Sequence, residues 1–263
     1  MGLSFFKPTE NVRPFSSLAI ASWNPSEKEK QIYESRTYID SFDQVDQIWN
    51  WLESKYGEVI AVDAPHAYHP ETFTYRELSQ LIKDAAAGFF SLGISTADVV
   101  ALFGENSPRW LIADQALMRV GASDAVRGAS APVEELHYIL KDSQAVALVI
   151  QNSEIWEKLS LPEEFLNQLK GVVQLEGVPV QGVLSWDELI RLGKASSDQQ
   201  ETISNRALDN QSRDIATIIY TSGTTGRPKG VPLTHRNLLH QMKALACVAN
   251  PPPGAAVLSV LPI

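Results

Sequence analysis

The sequence predicts an α/β fold in which strands and helices alternate around a mainly parallel sheet. Short, wholly apolar runs at Val99–Phe103 and at residues 145–150 read as strands buried on both faces. Segments with helical spacing of apolar residues lie between and around them, opened by N-cap residues and closed by glycine. The alternation of the two at this spacing calls for right-handed crossovers between parallel strands. With 263 residues, 44% of them hydrophobic, the chain can bury a sizeable core.

In order along the chain, residues 43–57 form an amphipathic helix with Val45, Ile48, Trp49 and Leu52 on one face and Gly57 as its stop. Trp49 and Trp51 read as packing and rim residues. Thr74 and Glu77 have capping-box spacing ahead of Leu78, Leu81, Ile82, Ala85, Ala86 and Phe89, and Gly93 ends that helix. After the strand Val99–Phe103, Ser107 is the N-cap, Pro108 the first helical residue and Gly121 the stop of the next helix. Pro132 opens a helix carrying Leu136, Ile139 and Leu140. The strand at 145–150 follows, then a helical stretch after Asn152 and a strand at 171–175. Ser185 and Glu188 cap a further short helix, and the polar segment 194–213 is a surface connection.

Composition excludes several partner classes. There are 31 acidic and 22 basic residues, a formal charge of -9, which opposes binding to a phosphate backbone, so no nucleic acid is expected. The single cysteine, Cys247, leaves no internal disulfide and no cysteine-rich zinc site, and reads as a small core residue. No stretch reaches the ~20 apolar residues that a bilayer crossing needs. The opening MGLSFFKPTENVRPF lacks a signal-peptide core, and Phe6 stands where myristoylation wants Ser or Thr. The expectation is a cytoplasmic protein, with room for peripheral association with a membrane.

One segment carries chemistry. The strand IATIIY at 215–220 runs into Thr221, Ser222, Gly223, Thr224, Thr225, Gly226, Arg227, Pro228, Lys229 and Gly230. Three glycines let the backbone turn tightly and bring amide N–H groups toward an anion; four hydroxyls and the Lys229 ammonium add donors and charge. A triphosphate is the natural guest. A glycine-rich hairpin turn that binds nothing is the competing reading, but a plain turn gains little from so many donors. A Walker A loop is excluded, because Arg227 and Pro228 separate Gly226 from Lys229, and Gly230 rather than a hydroxyl residue follows the lysine. The following residues 231–233 are extended, and only then does Thr234 cap a helix over His235–Val248.

The stretch YTSGTTGRPKGVPLTHRNL resembles the phosphate-binding signature of the adenylate-forming superfamily, which includes acyl-CoA synthetases, luciferases and peptide-synthetase adenylation domains. TFTYRELSQLIKDAAAGFFSLGI and VVALFGENSPRWLIADQALMRVGA are similar to upstream parts of that family. Asp124 to Gly128 (DAVRG) with EELHYILKDS resembles its long-chain fatty acid branch of the cyanobacterial and chloroplast type. The resemblance implies a two-step reaction. A fatty acid carboxylate attacks the α-phosphate of Mg2+-bound ATP to give an acyl-adenylate and pyrophosphate, and a thiol, from CoA or acyl carrier protein, then displaces AMP. It implies that Thr221, Ser222, Gly223, Thr224, Thr225 and Gly226 wrap the β- and γ-phosphates and that Lys229 holds the loop or the phosphates. Adenylation of another carboxylic acid, or a non-catalytic nucleotide-binding module, are the alternatives.

The resemblance also implies an organisation. Residues 1–72 are an N-terminal extension with the first helices, and 73–263 are part of the large AMP-binding domain. The small C-terminal domain and its catalytic lysine are expected to be absent, with no catalytic residue in these 263 and no full ligase activity from them alone. Trp110, Asp114 and Arg119 are expected to pack rather than bind, and Arg127 to form an ion pair or lie at the surface. His235 and His240 are expected to serve helix faces, with no metal site.

Overall fold

The computed structural model describes residues 42–196, 212–221 and 227–248, together with positions 26, 27, 31, 39, 41, 199, 202, 203, 255–257 and 259. In chain order the elements are α1 (Gln47–Tyr56), β1 (Ile60–Ala64), β2 (Glu71–Thr74), α2 (Tyr75–Ser91), β3 (Val99–Phe103), α3 (Pro108–Val120), β4 (Ser123–Arg127) and α4 (Val133–Asp142). They continue as β5 (Ala147–Ile150), α5 (Ser153–Leu159), α6 (Glu163–Leu166), β6 (Val172–Gln174), β7 (Leu184–Ser185), α7 (Trp186–Ala195), β8 (Ile215–Thr221), β9 (Lys229–Thr234) and α8 (His235–Val248). Seven strands form one sheet in the order β7-β6-β5-β3-β4-β8-β9. All its pairings are parallel except β8 with β9.

Local signals set the helix ends. Thr74 and Glu77 close a reciprocal capping box, the Glu77 N–H donating to Thr74 Oγ1 at 3.2 Å and the Thr74 N–H to Glu77 Oε2 at 2.9 Å. Ser185 and Glu188 repeat it on α7. Ser107 caps α3 behind Pro108, and Gly121 takes the left-handed conformation at its end, φ 85°. Pro132, expected to open a helix, is the N-cap of α4. One detail departs from expectation. Gly57 ends α1 in right-handed helical geometry. Its missing Cβ instead makes room for the Arg76 guanidinium, which a side chain there would meet at 2.8 Å. The hairpin β1–β2 and the strand β4 are additional elements that the apolar pattern did not announce.

The sheet is covered on both faces, as a mainly parallel sheet must be. Val100 and Leu102 of β3 face a core built with Leu78, Phe89, Leu117 and Leu189 from α2, α3 and α7. Ala101 and Phe103 face the opposite core with Leu136, Ile139, Ile155 and Leu159 from α4 and α5. This strict alternation follows from the two-residue period of a strand. A third cluster, with Val45, Ile48, Met118, Ala216 and Leu239, fastens α1 and α8 to the β8 side of the sheet.

His235 belongs to that junction. It is 2% exposed, its Nδ1 accepts the Val45 N–H at 3.2 Å, and burial pushes its pKa down to about 4, partly opposed by Asp214. A depressed histidine gives stability that is present above its unfolded pKa and lost as pH falls through its folded one. The protein is therefore expected to lose on the order of 3 kcal/mol from this group between pH 6.5 and 4. Asp46, raised to about 6 by burial against the opposing Arg119 charge, works the other way over the same range. His235→Asn keeps an acceptor for Val45 and cannot titrate, so its melting temperature should fall less on acidification than that of the wild type. Parallel pH profiles for the two proteins would refute this.

Candidate functional site

The singled-out segment begins at the end of β8 and finishes at the start of β9, which pair as antiparallel strands. Thr221 and Lys229 stand opposite each other as the last paired residues, with Tyr220 opposite Gly230 behind them. Both Thr221 and Lys229 are exposed, and among the described residues Lys229 has no acidic partner. Ser222, Gly223, Thr224, Thr225 and Gly226 lie outside the described residues, as does the Cys247 side chain. The hairpin thus carries one hydroxyl and one ammonium at the two ends of the segment.

The stem is closely built. Tyr220 is 3% exposed, and Gly230 packs against its ring: a Cβ at 230 would stand 3.0 Å from Tyr220 Cζ and 3.1 Å from Ile218 Cγ2. Glycine at 230 is therefore a packing requirement. The Tyr220 hydroxyl donates to Asp142 Oδ2 at 2.9 Å, and the Tyr138 hydroxyl donates to Asp142 Oδ1 at 3.1 Å. The Arg227 guanidinium lies 5.8 Å from the centre of the Tyr138 ring, a cation–π distance. Burial first, and then the Asp142 carboxylate, raise the pKa of both phenols, so both stay protonated donors.

Beside the hairpin, a cavity of about 420 Å³ opens at the C-terminal ends of β3, β4 and β8, lined by Glu105, Asn106, Arg127, Ser130, Ile219 and Tyr220 among others. β3 leaves into α3 on one face of the sheet and β4 into α4 on the other, so the crevice lies where the chain's direction switches. Open α/β sheets bind ligands at such points. Glu105 Oε1 accepts the Ser130 N–H at 3.2 Å, and a Cβ at Gly128 would crowd that oxygen at 3.1 Å. Arg127 is held by Glu135 at 2.7 Å, the ion pair expected of it. A second cavity, about 510 Å³, lies between β2, α3 and α7 and touches neither strand of the hairpin. There Arg109 is engaged by Glu71 at 3.0 Å and by the Leu175 carbonyl at 2.8 Å.

The remaining sequence candidates serve structure. Trp110 is buried in the core, and Arg119 pairs with Asp46 at 3.4 Å. Asp114 is buried in α3 against Asp124. Among the described residues no three His, Cys, Asp or Glu side chains converge as a metal cluster. No described helix is long and apolar enough to cross a membrane. Sequence reading missed Tyr138 and Asp142, although their spacing of four on a helix places both on one face.

Residues 48–263 match the family of AMP-binding enzymes. The chain belongs to that family. It is 38% identical to the chloroplastic long-chain-fatty-acid–[acyl-carrier-protein] ligase AEE15 of Arabidopsis thaliana, the match covering 89% of this chain and 36% of the relative. It is 39% identical to the probable acyl-activating enzyme 16, chloroplastic, of the same plant, over 87% of this chain and 33% of the relative. The chain therefore spans about a third of the length of these curated relatives. Among solved structures it resembles a long-chain-fatty-acid-CoA ligase (FadD1) from Archaeoglobus fulgidus, with 26% identity and a TM-score of 0.63, covering 78% of this chain and 39% of that one.

Proposed function

We propose that this chain supplies the ATP-phosphate-binding part of a ligase that activates a long-chain fatty acid as its acyl-adenylate and passes the acyl group to the thiol of CoA or acyl carrier protein. The observation that carries the reading is the hairpin that sets Thr221 and Lys229 across from each other at the two ends of the glycine- and hydroxyl-rich segment. The fatty acid and the carrier-protein thiol are supported by the names of the two plant proteins and by the DAVRG and EELHYILKDS stretches.

The hairpin's chemistry is positioning and charge neutralisation. Thr221 with Ser222, Gly223, Thr224, Thr225 and Gly226 offers hydroxyl and backbone N–H donors to the β- and γ-phosphates, and Lys229 offers a positive charge to the departing pyrophosphate. Mg2+ would arrive on the triphosphate, where such ions keep most of their ligands from phosphate oxygens and water. Mg2+ so bound would add charge neutralisation at the phosphates.

The test is calorimetric binding of Mg-ATP to the 263-residue chain and to Lys229→Ala. The wild type should bind, and the variant should bind about tenfold more weakly, the scale of one lost charged contact. Equal affinity in the two proteins, or no binding by the wild type, overturns the phosphate-site reading. In a protein of the relatives' length carrying these residues, palmitate should drive pyrophosphate release from Mg-ATP. Release with an aryl acid and none with palmitate would overturn the substrate class.

A further inference from the structure

We infer that Asp142 is a positioning residue for the phosphate-binding segment, gripping both of its ends through Tyr220 and Tyr138. The inference rests on the reading of residues 221–226 as the ATP-phosphate site. Asp142 is the last residue of α4 and belongs to neither strand of the hairpin, yet its two carboxylate oxygens are divided between the two ends. Oδ2 takes the hydroxyl of Tyr220, the residue immediately before Thr221, at 2.9 Å. Oδ1 takes the hydroxyl of Tyr138 at 3.1 Å, and the Tyr138 ring carries the guanidinium of Arg227, the residue immediately after Gly226. One carboxylate thus ties the entry and the exit of the segment to one helix end.

The surroundings fit a latch rather than a chance contact. Tyr220 is buried, and the close approach of Gly230 to its ring and hydroxyl leaves it little room to turn away from Asp142. Tyr138 and Asp142 are four residues apart on α4, so the helix itself holds one phenol against the carboxylate and aims its ring at Arg227. Asp142 is exposed, and its hydrogen bonds therefore do not serve to neutralise a buried charge. Holding Tyr220 and Arg227, the residues that flank the segment, in place beforehand lowers the cost of binding a triphosphate between them and so strengthens binding.

The test compares Mg-ATP binding and melting temperature in the wild-type chain, Asp142→Ala, Asp142→Asn, Tyr220→Phe, Tyr138→Phe and the double variant Asp142→Ala with Tyr220→Phe. Asp142→Ala should weaken Mg-ATP binding about tenfold and each Tyr→Phe about threefold, within the range of one net hydrogen bond at a solvent-exposed acceptor. Asp142→Asn, which keeps one acceptor oxygen, should fall between the wild type and Asp142→Ala. The double variant should bind no more weakly than Asp142→Ala alone, because the hydroxyl of Tyr220 donates its hydrogen bond to that carboxylate. Melting temperatures should stay close to the wild type, since Phe keeps the packed ring and Asp142 is exposed. Wild-type affinity in Asp142→Ala overturns the latch and leaves the phosphate reading standing. Weaker binding that tracks a lowered melting temperature across the set reduces Asp142 to a structural contact and also overturns it. Failure of the wild type to bind Mg-ATP removes the phosphate reading and the latch with it.

Discussion

Gly193→Ala is expected to abolish cooperative folding, or to cost about 4 kcal/mol or more, at the large end of what single substitutions do. The reason is a backbone contact. A Cβ on Gly193 of α7 would stand 1.7 Å from the Asp84 carbonyl oxygen and 2.9 Å from the Gly88 nitrogen, both in α2. From the other side, a Cβ on Gly88 would stand 2.4 Å from the Leu189 carbonyl oxygen of α7. The two helices touch through reciprocal glycines, and the obstacle on each side is main chain, which cannot rotate away as a side chain can. Making room for a methyl group means separating α2 from α7, and Leu78, Ile82, Phe89, Trp186 and Leu189 from these helices share one core. Cavities would open among residues that are now close-packed. Gly171→Ala is the control, since its Cβ would meet only Leu92 Cδ1 at an ordinary 3.4 Å. Urea unfolding followed by circular dichroism distinguishes the two. A Gly193→Ala midpoint equal to that of Gly171→Ala would show that the helices give way easily and that the contact is not a constraint.

That contact marks the boundary of what the sequence made legible. Elements whose ends are set by neighbours in the chain could be read directly. The capping boxes at Thr74 and Ser185, the Ser107-Pro108 start and the Gly121 stop of α3 each rest on interactions within about four residues. β3 and β5 were legible because strands buried on both faces are apolar throughout. β4 was not, because Asp124 and Arg127 interrupt its pattern; their partners, Asp114 and Glu135, come from α3 and α4. Gly88 and Gly193 read as ordinary interior glycines, since their purpose is a helix pair separated by about a hundred positions in the chain.

The candidate site divides in the same way. Glycines, hydroxyls and Lys229 are dense in one segment, so the segment was legible as a phosphate site. Its setting was not. Strand order in the sheet is a nonlocal property, and only that order brings β8 beside β4 and the hairpin stem against the end of α4. Tyr220 read as the last apolar residue of a strand, and it is buried as such, but its hydroxyl leads to Asp142, 78 residues earlier in the chain. Arg127, too, gained its meaning only from the fold, at the rim of the crevice beside Tyr220.

Asp124→Asn is expected to stabilise the protein, and increasingly so as pH rises. Asp124 of β4 is 1% exposed, among the described residues neither of its carboxyl oxygens has a donor in good hydrogen-bond geometry, with the Thr217 side chain offering only partial support, and it lies against Asp114 of α3, itself buried. Burial first, and then the Asp114 charge, push the Asp124 pKa well above its usual 3.8, and burial raises Asp114 as well. Asp114 is the better supported of the two, because its Oδ2 accepts Gln115 Nε2 at 2.7 Å, and Gln115 Oε1 in turn accepts the indole N–H of Trp49 at 2.6 Å. The pair therefore holds a proton in the folded state that the unfolded chain gives up near pH 4. A carboxyl with a raised folded pKa gives stability that is complete below its unfolded pKa and is lost as pH climbs toward the folded one. Asparagine has the shape of the protonated acid and its own N–H donors for Asp114, and it does not titrate. At pH 7 the gain should be about 1–3 kcal/mol, the cost of a buried polar group left unsatisfied. It should shrink toward zero at pH 4, so melting curves at the two pH values carry the test. A variant less stable than the wild type at pH 7, with the same deficit at pH 4, would mean that the Asp124 carboxyl makes a hydrogen bond that asparagine cannot replace. β4 pairs with β8 at Asp124 and Thr217, four residues before the phosphate-binding segment begins. The residual strain of this carboxyl pair therefore lies in the sheet that carries the hairpin, and relieving it should stabilise the strand from which the site extends.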